Sequence, residues 1–340
     1  MKIILHVGTE KTGSTSIQAV CGDNRKRLLE KGWLFPETSK AYSHVNLTVC
    51  ALEGAPDHPV RQLYNLGEEK KWSDFCDNVL SSLENQIHVH DPDLLLLSDE
   101  HLSGHINNID QLFNYKKIIE RYGSVSSVII YLRRQDSLRL SLFSEAVKVG
   151  NLKNFDIYNP LPIFDDIPFR FNYIKMLDNF SEVFGSEKLI LRIFDRKDLF
   201  CGNVISDFVK ISGVPITVNM DISREENRSI DARIIKNVAK ISMYLKQKNN
   251  KMADTLRIII INLLQRTFNG PGPVMKECVH NKFMEQFESQ NNIIKERYFP
   301  NLNRTELFRP ITIDEVCCYP ECSFSWQKMI LECVKCMILT

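Results

Sequence analysis

The sequence predicts an α/β fold in which helices cover both faces of a parallel central sheet. Three observations carry this. Short apolar runs without polar alternation recur at 2–7, 93–98, 127–132 and 188–194, as strands covered on both faces require. Stretches with apolar residues at helical spacing lie between them. A glycine-bearing loop joins the first such strand to the first helix.

In chain order, residues 2–7 form the first strand, ended by Gly8. Over 14–31, Ile17, Val20, Cys21 and Leu28 fall on one helical face, and Gly32 is a stop signal. Residues 33–36 read as a brief extended segment. Residues 37–70 show no clear period. A helix follows over 72–86, a buried strand over 93–98 and a helix over 111–122. The second long apolar run, 127–132, leads into a helix over 137–149. Residues 168–184 place Phe169, Tyr173, Leu177, Phe180 and Phe184 on one side of a helix. A buried strand at 188–194 and a helix at 204–211 follow. Beyond about residue 225 the pattern is helical: 231–268 with an interruption near Asn249 and Asn250, a break at 269–273, then 278–298 and a terminal stretch from Phe324. With no internal repeat and no linker, the chain reads as one domain over 1–340, with an α/β core at 1–215 and a mainly helical extension at 216–340.

Forty-three Lys plus Arg face 42 Asp plus Glu, a net charge of +1 in 340 residues. That balance argues against a nucleic-acid binder while leaving room for a local anion site. The longest apolar candidate, 258–264, is far short of the ~20 residues that span a bilayer. The first apolar run is interrupted at His6 and followed by Glu10 and Lys11, so it reads as a strand rather than a signal peptide, and a cytoplasmic location is expected. In that compartment the ten cysteines are expected to pack as small hydrophobes. Cys318, Cys322, Cys333 and Cys336 have spacings that could hold zinc, but a terminal amphipathic helix is the simpler reading and no metal is expected.

The loop Gly8-Thr9-Glu10-Lys11-Thr12-Gly13-Ser14-Thr15-Ser16 follows a strand and opens a helix. Glycines let such a backbone curl, so that its N–H groups converge on an anion at the positive end of the helix dipole. Ser14 and Thr15 add hydroxyl donors. It is not a Walker A loop, which ends Gly-Lys-Ser/Thr; here Ser14 follows Gly13 and the lysine lies two residues upstream.

Lys11-Thr12-Gly13-Ser14-Thr15 resembles the 5′-phosphosulfate loop of sulfotransferases that use 3′-phosphoadenosine 5′-phosphosulfate (PAPS), with Ser14 where threonine is more usual. The family's 3′-phosphate motif, a strand ending in Arg with Ser eight residues on, is matched by Arg133 and Ser141. Gln135 stands where proline is usual, and Arg134 is a secondary candidate. Segments at 227–229 and 291–308 are similar to bacterial carbohydrate sulfotransferases, less specifically. The resemblance implies a P-loop-like three-layer αβα fold and PAPS as sulfuryl donor held by Lys11, Thr12, Gly13, Ser14, Thr15, Ser16, Arg133 and Ser141. It also implies a glycan or glycolipid hydroxyl as acceptor. No transmembrane segment is expected, and peripheral membrane contact stays open.

Sulfuryl transfer needs a base for the acceptor hydroxyl and a positive charge for the leaving phosphate. Lys11 suits the second task. The strand at 93–98 ends in Ser98-Asp99-Glu100-His101, on the rim where parallel sheets gather ligands. The family uses Glu or His near this place, and Glu100, just past a hydrophobic strand as in glycan sulfotransferases that use Glu, is the base the resemblance implies. His101 is the alternative, pointing elsewhere if the backbone is still extended, and Asp99 and His105 rank below them. Two other functions stay open: a P-loop kinase or nucleotide hydrolase with a displaced lysine, in which Asp99 would serve Mg²⁺, and a nucleotide-sensing scaffold without turnover.

Overall fold

The computed structural model describes residues 1–39, 42–216, 229–311, 318–321, 323–330 and 332. In chain order the elements are β1 (Lys2–His6), α1 (Ser14–Asp23), α2 (Arg25–Leu29), β2 (Trp33–Leu34), α3 (Val45–Cys50), α4 (Pro59–Leu63) and α5 (Glu69–His90). Then come β3 (Leu94–Ser98), α6 (His101–His105), α7 (Ile109–Ile119), β4 (Ser124–Leu132) and α8 (Gln135–Val149). The rest are α9 (Tyr173–Phe184), β5 (Leu189–Ile193), α10 (Val204–Ser212), α11 (Ile235–Gln247), α12 (Lys251–Thr267), α13 (Glu277–Glu285) and α14 (Glu288–Tyr298).

The five strands form one parallel sheet in the order β2-β3-β1-β4-β5. On one face Ile4, Leu96, Ile129 and Tyr131 pack against Ile17, Val20 and Cys21 of α1 and Ile205 and Phe208 of α10. The alternate residues Ile3, Leu5, Leu95, Leu97, Val128 and Ile130 are fully buried on the other face, where α9 packs on β4 and β5 and carries α7. Burial on both faces explains why the strands read as unbroken apolar runs. The architecture is therefore a three-layer αβα fold. The chain leaves β1 toward one edge and reaches β4 on the other side, so the carboxyl ends of β3, β1 and β4 lie side by side at a topological switch point.

Several elements depart from the sequence expectation. The helix expected over 14–31 is interrupted at Asn24, whose side-chain amide donates to the Val20 carbonyl at 2.8 Å. Residues 37–70 hold two short helices, α3 and α4. The stretch 278–298 is split between α13 and α14. Among the described residues β5 pairs only with β4 and is half-buried, an edge strand rather than a covered one. Of the tail cysteines, Cys318 is half-buried, while Cys322, Cys333 and Cys336 lie outside the described residues, as do residues 227 and 228.

The chain gathers into two units. The first comprises Met1–Arg133, Asp166–Arg224 and Gln290–Leu307 and contains the sheet. Its last segment is tied to α9: Gln290 donates to the Phe171 carbonyl at 3.1 Å, Tyr298 meets Ser181 at 3.0 Å and Arg297 pairs with Asp178. The second unit comprises Arg134–Asp165, Glu225–Ser289 and Phe308–Thr340 and is helical where described, with α8 packed on α11 and α13, and α11 on α12. A buried pair organises it: His280 Nδ1 meets Asp136 at 2.8 Å and its Nε2 accepts the Met275 amide at 3.1 Å.

In the first unit His44 pins the end of β3. Its Nδ1 accepts the Ser98 amide at 2.9 Å and its Nε2 donates to the Pro36 carbonyl at 3.1 Å. A second proton on Nδ1 would exchange the Ser98 amide for the Ser98 carbonyl, 3.1 Å away, but would place a charge in the interior. Burial holds its pKa down at about 4, and that of His6 at about 3. Both are neutral in the fold but titrate near 6.5 when unfolded, so the unfolded state binds more protons below that pH. Stability contributed by the neutral rings is present above pH 6.5 and lost as pH falls toward 4. Asp99 and Glu100, raised by burial, act in the opposite sense. Replacing His44 with Gln should therefore flatten the urea-unfolding free energy between pH 7 and 5 by about 1–2 kcal/mol relative to wild type. Parallel profiles for the two proteins would refute this role.

Candidate functional site: the rim of β3, β1 and β4

The loop after β1 is pinned to the protruding end of β4. The Val7 amide donates to the Ile129 carbonyl at 2.8 Å, and the Thr9 hydroxyl to the Tyr131 carbonyl at 2.8 Å. Thr12 Oγ1 donates to the Thr9 carbonyl at 2.6 Å, closing the curl. Lys11 sits at φ 64° and Gly13 at φ 81°, both left-handed. For Lys11 that conformation is uncommon, and such backbones concentrate at functional sites. At Gly13 a side chain is also excluded by space, because a Cβ would lie 2.8 Å from Val204. Among the described residues the amides of Gly13, Ser14 and Thr15 donate to no carbonyl, as expected at the first turn of a helix.

Gly8 forms the floor of a cradle. A Cβ there would lie 2.3 Å from Ser14 Oγ, 2.9 Å from Thr12 Oγ1 and 3.4 Å from His6 Nε2. His6 is fully buried, with Nδ1 on the Ser98 hydroxyl at 2.8 Å and Nε2 without a partner. Ser14 Oγ, also buried, has the Glu100 carboxylate as its neighbour. A buried polar atom is seldom left without a partner, as His6 Nε2 is, because it forfeits its water without compensation.

Arg133, one residue past β4, donates to the Lys11 carbonyl, and its guanidinium lies 5.5 Å from the Phe194 ring centre. Its own carbonyl accepts the Tyr173 hydroxyl at 2.7 Å. This arginine thus braces the loop as well as standing at the strand end that the spacing indicated. Ser141 is half-buried on α8, in the second unit. Thr15 is exposed and Ser16 half-buried on α1. Arg134 belongs to the second unit, where it pairs with Asp136 at 3.2 Å.

Glu100 comes to the loop. Its Oε2 accepts the Gln18 amide at 3.1 Å, and the Ser14 hydroxyl lies close enough to favour its charged form. Burial is the larger influence and pushes its carboxyl above the usual carboxylate range. The chain has already turned helical at Glu100, at φ −73° and ψ −19°. Strand alternation therefore does not separate His101 from Glu100, as an extended backbone would have done. The His101 ring instead lies 5.3 Å from that of His105. Asp99 is fully buried with both oxygens engaged, one by the His101 amide at 3.0 Å and the other by the Thr48 hydroxyl.

Three residues not singled out from the sequence join this rim. Gln18 stands four residues after Ser14, a helical spacing that could have revealed it. Glu10 pairs with Arg170 at 3.4 Å and lies 4.0 Å from His105. Its carboxylate packs close to Gly104, where a Cβ would lie 3.0 Å from it and press it aside by a few tenths of an ångström. Burial lowers the His105 pKa to about 4 despite Glu10, so its ring is neutral near pH 7.

No family model and no solved structure matches the chain. An uncharacterized protein of Archaeoglobus fulgidus is 26% identical over 201 residues, which is 58% of this chain and 52% of that protein. The chain thus spans about half the length of the relative it matches.

Proposed function

We propose that the protein is a PAPS-dependent sulfotransferase acting on a hydroxyl of a glycan or glycolipid. What supports it most is the curl of this loop over Gly8, where His6 Nε2 is buried without a partner beside the amides of Gly13, Ser14 and Thr15, which donate to no carbonyl among the described residues. An anionic phosphate oxygen at a helix N-terminus would satisfy such donors. The residues present therefore fit the 5′ end of the nucleotide. PAPS, when bound, supplies the sulfuryl group and a phosphate leaving group. Lys11 neutralises the charge that grows on the leaving oxygen. Glu100 accepts the acceptor's proton, and its raised pKa makes it a stronger base than an exposed carboxylate. Arg133 holds the loop through the Lys11 carbonyl and stands at the strand end where a guanidinium can meet the 3′-phosphate.

A kinase or hydrolase would need an acidic ligand for Mg²⁺, and the residue expected to serve, Asp99, has both oxygens occupied inside the fold. Calorimetry separates the possibilities. Adenosine 3′,5′-bisphosphate should bind roughly tenfold or more tightly than ADP, and Arg133→Ala should remove most of that preference, since a charge-assisted hydrogen bond contributes ~1.5–3 kcal/mol. Equal affinity for the two nucleotides would overturn the assignment.

A further inference from the structure

The hairpin of α11 and α12 carries an apolar face that the described residues do not cover. On α12, Met252, Leu256, Ile259 and Leu263 follow one another at spacings of four, three and four residues, hence on one side of the helix. They are 46–80% exposed. The helix's own packing uses the other side, through Ala253, Ile261 and Leu264. Met243 and Tyr244 of α11 are exposed as well. Soluble surfaces seldom leave so many large apolar residues contiguous without a use for them.

Charge says what covers this face. From residue 235 to residue 267 the hairpin has seven basic side chains against one acidic, Asp254, in a chain whose net charge is only +1. Asp254 is paired with Arg257 at 3.1 Å. Lys240, Lys246, Lys248, Lys251 and Arg266 are exposed, and Lys248 lies 4.7 Å from the centre of the Tyr244 ring. An apolar stripe edged by lysines, with an aromatic ring beside them, is the pattern of a helix lying in a membrane interface. A second copy of the hairpin would bring the same positive charges together, which opposes self-association.

We infer that the α11–α12 hairpin docks on an anionic lipid bilayer, with Leu256, Ile259 and Leu263 entering the headgroup boundary and the lysines meeting lipid phosphates. At 17 residues, α12 is too short to span, and no described helix is long and apolar enough to do so. The hairpin holds none of the residues placed at the nucleotide rim, so docking stands or falls independently of sulfuryl transfer.

Vesicle co-sedimentation of the full chain tests this, with phosphatidylcholine vesicles containing phosphatidylglycerol against pure phosphatidylcholine. Partitioning should favour the anionic vesicles by roughly tenfold or more and fall as salt is raised. The double variant Leu256→Glu with Ile259→Glu should lose most binding, and Lys246→Glu with Lys248→Glu should lose the preference for anionic lipid. Circular dichroism checks that both remain folded. Equal binding to both vesicle types, or none, overturns the inference. So does a concentration-dependent dimer in light scattering that Ile259→Glu abolishes, because the face would then belong to a second copy.

Discussion

Glu100→Gln is expected to slow sulfuryl transfer by about 10²–10⁴-fold, the range for loss of a positioned general base, with nucleotide affinity nearly unchanged. The substitution keeps the shape and the acceptor for the Gln18 amide while removing the basicity. Rapid-quench turnover with labelled PAPS, alongside calorimetry with adenosine 3′,5′-bisphosphate, separates the two effects. His101→Ala should be milder and act on acceptor binding. If His101→Ala proves the more damaging, histidine is the base. If neither slows transfer, the neutral His105 beside Glu10 is where the proton must be sought, since both oxygens of Asp99 are engaged.

Lys11→Ala should lower turnover by about 10²–10³-fold, more than it weakens product-nucleotide binding, because its ammonium stabilises charge that exists only as the phosphate leaves. The left-handed backbone at Lys11 supplies a control. Lys11→Gly relieves that conformation, whereas Lys11→Ala keeps its cost. Similar losses in both variants would tie the effect to the ammonium. Lys11→Arg should not restore full activity, since a planar fork does not replace a compact charge in a tight curl. Wild-type turnover in Lys11→Ala would remove the lysine from the mechanism.

The sheet was legible because strands buried on both faces leave no polar alternation, as in Leu94 to Leu97 and Val128 to Leu132. The loop was legible because glycines and hydroxyls at fixed offsets mark a strand-to-helix turn. Residues 37–70 were not, because helices of six and five residues, α3 and α4, are too short to display a period. The pairing of Glu10 with Arg170 joins residues 160 positions apart and packs close to Gly104, which no local pattern encodes. His6 looked like a flaw in an apolar run. Its meaning comes from the cradle above it, which exists only once β1 and α1 are assembled. Whether the backbone is still extended at Glu100 was left open for a related reason: the bend there goes with the capture of the His101 amide by Asp99, which the apolar run does not encode.

The interleaving of the two units bears on how the chain can be made. It passes between them five times, so no single cut separates one from the other. As the protein leaves the ribosome, all five strands emerge before residue 194, yet α9 waits for Gln290, Arg297 and Tyr298 to arrive from nearly a hundred residues further on. Until then the bond from Gln290 to the Phe171 carbonyl cannot form. A fragment ending near residue 215, though it contains the whole sheet and every rim residue, would stay in that unfinished state, and vectorial synthesis would leave the first unit incomplete until most of the chain has been translated.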